Sequence, residues 1–125
     1  MDNGNVRGLA LNLSNVDPGT VYSSDIDNQY NSGGHIVVNV TAQLNSTLTL
    51  TVQGKLADET YYDILTSAAL GAVAVTKLSA FVGATPAANV AVNDILPRHF
   101  RIKAVTSNGG ATPKVTATVT VNLVR

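Results

Sequence analysis

RHFRIKAVTSNGGATPKVTATVTVNLVR, residues 98–125, decides the fold. Phe100, Ile102 and Ala104 share one parity, and His99, Arg101 and Lys103 share the other. Beyond the turn-forming residues 107–113, Val115, Ala117, Val119, Val121 and Leu123 alternate with Lys114, Thr116, Thr118, Thr120 and Asn122. Side chains point to opposite faces along a strand, so the stretch predicts an antiparallel hairpin with one buried and one wet surface.

The same pattern recurs upstream. Ile36, Val38, Val40, Ala42 and Leu44 form one face of a strand, Asn45-Ser46 turns the chain, and Leu48, Leu50 and Val52 face inward from the next. A second hairpin is expected there. Leu9, Leu11 and Leu13 mark a short first strand, followed by a turn at Asp17-Pro18-Gly19. Residues 21–34 read as a polar excursion pinned by Ile26 and Tyr30, and Gly33-Gly34 and Gly109-Gly110 read as turn glycines. Residues 61–67 form a strand with Tyr62 and Ile64 inward. In residues 73–82 the parity slips, from Val73 and Val75 to Leu78, Ala80 and Val82, which predicts a bulge near Thr76-Lys77. Val90 and Val92 mark a short edge.

About eight short strands at intervals of roughly ten residues, with no helix, predict an all-β fold. The expected architecture is an antiparallel β-sandwich, jelly-roll-like. Residues 1–20 supply an N-terminal arm and first strand, and residues 21–125 a single sandwich domain.

Composition narrows the function classes. At 125 residues the chain buries a core without a metal or disulfide staple. Aromatics are only 5% and tryptophan is absent, so Val, Leu, Ile and Ala fill that core. Eight basic and eight acidic side chains cancel, leaving no cationic excess to displace counterions from nucleic acid. There is no basic amphipathic helix for a membrane surface and no apolar run near the ~20 residues of a span. The absence of cysteine removes thiol chemistry. No leader-like start is visible, so synthesis in the cytoplasm and a soluble product are expected.

Residue chemistry offers no catalyst. Asp25-Ile26-Asp27-Asn28 superficially matches a calcium loop, but the sixth position is Tyr30 where glycine is needed and the twelfth is Ile36 where Glu is needed. Turn bonds from Asp25 and Asp27 to the local backbone are expected instead. His35 and His99 have no second ligand at metal-binding spacing. Asp58, Glu59 and Asp63 lie in polar surroundings that would not tune a carboxylate for acid–base work. No enzyme activity, cofactor or metal is expected. The stripe His99, Arg101 and Lys103 is the most concentrated positive charge and suits an acidic partner surface.

Tyr22-Ser-Ser-Asp-Ile-Asp-Asn28, a polar spacer, then Gly34-His-Ile-Val-Val-Asn-Val40 resembles the opening of a widespread group of small tailed-bacteriophage structural proteins. Leu48-Thr-Leu-Thr-Val-Gln53, Tyr61-Tyr-Asp-Ile-Leu-Thr-Ser67 and Ile95-Leu-Pro-Arg-His-Phe-Arg-Ile102 continue the likeness. The resemblance implies a capsid decoration (cement) protein on the outside of the head shell, binding the major capsid protein. It also implies a homo-oligomer, a trimer favoured over a dimer, and residence in the virion. A tail or head–tail accessory protein and a carbohydrate-binding adhesin module are the alternatives. On the capsid reading the expected contacts are Asp2, Asn3, Asn5 and Arg7 in the arm, Tyr22, Asp25, Asp27 and Tyr30 in the excursion, and Arg101 and Lys103 on the stripe.

Overall fold

A computed structural model describes residues 6–28 and 33–124. Its ten strands are β1 (Val6–Val16), β2 (Gly19–Tyr22), β3 (Ile26–Asp27), β4 (Gly33–Leu44), β5 (Leu48–Lys55), β6 (Tyr61–Thr66), β7 (Ala74–Ala80), β8 (Ala91–Val92), β9 (His99–Thr106) and β10 (Lys114–Val124). They form two facing sheets. Sheet A has the order β1-β10-β4-β7-β8; sheet B has the order β2-β9-β5-β6, with β3 also paired to β9. All pairings are antiparallel except β7 with β8. The protein is an antiparallel β-sandwich.

The inward parity is the expected one over most of each strand, but a register shift between β4 and β10 at Thr116/Ala117 turns Ala42 and Leu44, expected inward, to the outer face, and Leu44 is 52% exposed. Phe100, Ile102 and Ala104 of sheet B face Val115, Ala117 and Val119 of sheet A, all buried. Ile36, Val38 and Val40 join from β4, and Leu48, Leu50 and Val52 from β5. Each of these Val, Leu, Ile or Phe side chains withdrawn from water contributes about 1.5–3 kcal/mol before conformational entropy is subtracted.

The partners differ from the expectation. Neither predicted hairpin exists: β9 and β10 lie in different sheets, and so do β4 and β5. Alternation specifies which face is buried, but a strand buried against the opposite sheet carries the same alternation as one paired with its neighbour. The link 45–47 has only three residues, which at about 3.3–3.6 Å each spans the ~10 Å between packed sheets. Both links are therefore arches across the sandwich, and they are bonded side by side. Gly109 N–H donates to Asn45 O (2.8 Å), Ser46 Oγ to Ser107 O (2.6 Å) and Asn45 Nδ2 to Ala111 O (2.7 Å).

The pairs β1–β10, β2–β9, β4–β7 and β5–β6 nest inside one another around the turn at residues 56–60. The lateral pairs β4–β10 and β5–β9 then complete the two sheets.

Three local expectations also change. A register shift between Leu9 and Leu11 in β1 breaks the Leu9–Leu11–Leu13 parity, so Leu9 is 61% exposed while Leu11 and Leu13 are buried. In β7 no bulge occurs: its register against β4 runs unbroken from Ala74 to Ala80. The slip in the sequence arises because Val73 and Val75 face solvent. The bulge lies in β6, where Tyr62 pairs with Gly54 and Leu65 with Val52, leaving Ile64 between. Gly33 and Gly34 are not turn residues but the first two of β4, wedged between the backbones of β7 and β10.

The segment expected as an arm divides. Residues 1–5 lie outside the described residues, and from Val6 the chain is an eleven-residue strand hydrogen-bonded along β10.

Candidate functional site

The outer faces of the two sheets differ in chemistry. That of sheet A is built largely from Thr116, Thr118, Thr120, Val37 and Asn39, with Lys77 toward its edge. That of sheet B gathers charged and aromatic groups: Tyr22 from β2, Arg101 and Lys103 from β9, Gln53 and Lys55 from β5, Tyr61 and Asp63 from β6. Alternation puts them there, since Phe100, Ile102, Val52 and Gly54 take the inward positions of the same strands.

Register brings Gln53 opposite Arg101 on one side and opposite Asp63 on the other. The resulting row is hydrogen-bonded throughout. Arg101 Nε donates to Gln53 Oε1 at 2.9 Å, and Gln53 Nε2 donates to Asp63 Oδ1 at 2.9 Å. Gln53 is buried, so its amide is an ordered anchor for the guanidinium. Two rings complete the hold: the Arg101 guanidinium lies 3.5 Å from the centre of the Tyr61 ring and 4.0 Å from that of Tyr22. Stacking against aromatic π-systems suits the planar, weakly hydrated guanidinium better than an ammonium.

Asp25, in the link between β2 and β3, closes the cluster. Its Oδ1 accepts from the Tyr61 hydroxyl at 2.6 Å and its Oδ2 accepts from Lys55 Nζ at 2.8 Å. Lys55 is also 3.8 Å from Glu59. The hydrogen bond from Lys55, then that from Tyr61, hold the Asp25 carboxyl below the usual aspartate range. The same bonds raise Lys55 and Tyr61. Each shift carries the pKa further from neutral pH, so Asp25 stays ionised, Lys55 protonated and Tyr61 uncharged more firmly. A general acid or base needs the opposite tuning.

Of the residues expected to make contacts, Tyr22, Asp25 and Arg101 come together here, and Lys103 lies opposite Tyr22 in the β2–β9 register. Asp27 stands apart, 3.5 Å from Arg98. Among the described residues each aspartate faces a cation from another strand or link, Asp25 facing Lys55 and Asp27 facing Arg98. Arg7 is in β1 of the other sheet, opposite Asn122. Asp2, Asn3, Asn5 and Tyr30 lie outside the described residues.

Sequence reasoning missed Lys55, Tyr61, Gln53 and Asp63 as members of one group. The outward parity of β5 carried part of the signal, since it implies Gln53 and Lys55 on the outside; Tyr62, expected inward, lies over Gly54 but is 40% exposed. The register joining β5 to β9 had no counterpart in the sequence. The carboxylates considered as an acid–base set are separated: Asp58 accepts from the backbone N–H and hydroxyl of Thr60, while Asp63 is engaged by Gln53. Among the described residues no three His, Asp or Glu side chains are grouped as metal ligands. Comparison with protein-family models, with curated proteins and with solved structures finds no match to this chain.

Proposed function

We propose that this chain is a bacteriophage virion structural protein that decorates the head shell, docking on the major capsid protein through the outer face of sheet B. The observation that carries the reading is the Arg101 guanidinium held between Tyr22 and Tyr61. Tyrosine and arginine dominate the energetics of protein interfaces. Here they are already ordered, so little side-chain entropy remains to be lost on docking. Repetition over a shell makes a modest affinity per copy sufficient.

The nested strand order supports the same reading. Taken with the arches, it supports reading the sandwich as a jelly-roll wrap, an architecture that recurs in viral capsid and lectin domains. That argument is one of fold analogy, and the site carries the functional weight. The sequence resemblance to small tailed-phage structural proteins points the same way.

The lectin analogy and the 47% exposure of Tyr22 favour a second reading, a carbohydrate-binding module. Sugar rings stack on free aromatic faces. Tyr22 and Tyr61 each give a face to Arg101, which favours a protein partner. Co-sedimentation with empty phage heads from the protein's own source tests both. Saturable binding in fixed ratio to the major capsid subunit, reduced at least tenfold in occupancy constant by Arg101→Ala, is expected. Absence of head binding together with retention on a glycan array would replace the capsid reading with the second.

A further inference from the structure

The open half of β7 offers a surface of a different kind. On one side β4 covers the strand completely, from Val40 opposite Ala74 to Gly34 opposite Ala80. On the other side β8 reaches only Ser79 and Ala80. There Ser79 N–H donates to Val90 O at 2.9 Å and Phe81 N–H to Val92 O at 3.4 Å. Backbone groups alternate sides along a strand, so Val75 and Lys77, which share the parity of Ser79, aim their N–H and C=O groups at this same edge. Among the described residues no strand lies beside them. The adjoining side chains are apolar and open: Val73 is 62% exposed and Val75 66%.

The other edges are blunted. Register shifts interrupt β1 between Leu9 and Leu11 and again between Leu13 and Val16. Another interrupts β6, which also points Asp63 outward. β2 is straight, but it is four residues long, follows Pro18 and commits Tyr22 to Arg101. Bulges, charges, proline and brevity are the devices by which sandwiches discourage strand addition. β7 from Ala74 to Lys77 has a straight backbone and one charge, Lys77.

The geometry points to a second copy of this chain as the occupant of that edge, added antiparallel about a twofold axis near Thr76. An extended edge is complementary to itself under such a rotation, and sheet A becomes one continuous sheet through both copies. Lys77 beside Lys77 would repel. The register that puts Val75 of each copy opposite Lys77 of the other separates the ammonium groups. It also satisfies the free N–H and C=O of all four residues. An antiparallel edge pairs with itself only about a twofold, so a dimer is favoured over the trimer that the family resemblance implies. The contact is small, and a weak, concentration-dependent dimer follows. This inference is independent of what the outer face of sheet B binds.

Sedimentation equilibrium of the purified chain over a micromolar-to-millimolar series tests it. The mass rises from 12.9 kDa toward twice that value. Val75→Lys, at an exposed position, weakens association at least tenfold, and Val75→Glu strengthens it by pairing with Lys77 across the axis. The double variant Val75→Lys with Lys77→Glu restores association with an added dependence on salt. Three results would overturn the inference: a monomer mass throughout the series, a dimer that Val75→Lys and Val75→Glu change equally or leave unchanged, or a dimer abolished by Thr20→Pro on β2 with no response to the Val75 variants.

Discussion

A methyl group on Gly34 would sit 2.6 Å from the carbonyl oxygen of Asn122 on the neighbouring strand β10. No real side chain tolerates that distance from backbone, so glycine at this position sets how closely β4 and β10 approach. Gly34→Ala forces the two central strands of sheet A apart. The expected loss is about 1–3 kcal/mol, the range for overpacked interiors, read as a lower urea midpoint with an unchanged slope.

Phe100 is the largest of the fully buried side chains. Truncation to alanine removes its contacts with both sheets and leaves a cavity, at a cost of about 3–5 kcal/mol. Val82, on the surface, is the contrast: Val82→Ala changes stability by no more than about 0.5 kcal/mol. Thermal or chemical denaturation of the two variants side by side checks the pair.

The Arg101 stack separates geometry from charge. Arg101→Lys keeps the positive charge and loses the planar group that lies between the two rings and bonds to Gln53. A stability loss of about 1 kcal/mol is expected for these partly exposed cation–π contacts. Near-ultraviolet circular dichroism of the tyrosines falls in the same variant. An unchanged tyrosine signal would mean that the rings are ordered by other contacts.

Acid releases the cluster in a defined window. The folded-state pKa of Asp25 is depressed, with hydrogen bonding from Lys55 the leading cause and that from Tyr61 the next. Its contribution is therefore complete above the ordinary aspartate pKa, about 3.9, and is lost as pH falls through the lower folded value. Tyr61, raised by the same contact, ionises at higher pH than in Asp25→Asn. Spectrophotometric titration of the tyrosines reads that difference, and amide shifts of residues 23–27 follow the acid limb.

What the sequence makes legible is the side of the sheet each residue occupies. Phe100, Ile102 and Ala104 are inside and Arg101 and Lys103 outside because burial imposes period two on any strand. It does not reveal the neighbour. Ile102 lies opposite Val52, some fifty positions away, and nothing near either residue encodes that pairing. A bulge also defeats alternation: one extra residue near Ala10 turns Leu9 outward although its parity matches that of Leu11. The site is legible to the same extent. Tyr22, Asp25 and Arg101 stood out as polar or aromatic groups on wet surfaces. That Lys55 and Tyr61 would join them depends on the register of β5 against β6, and on a link from β2 that folds over it.

The nesting of the strands dictates how the chain must assemble. β1 precedes all the other strands in the chain, yet its partner in sheet A is β10, the last of the ten, and β10 also stands between β1 and β4. A growing chain can zip β5 to β6 and lay β4 against β7, but sheet A stays split until β10 has been made. Pairings of such long separation carry the full entropy of loop closure before any contact rewards it. Folding on the millisecond-to-second scale is the expected result, with β1 waiting beside an incomplete sheet for its partner.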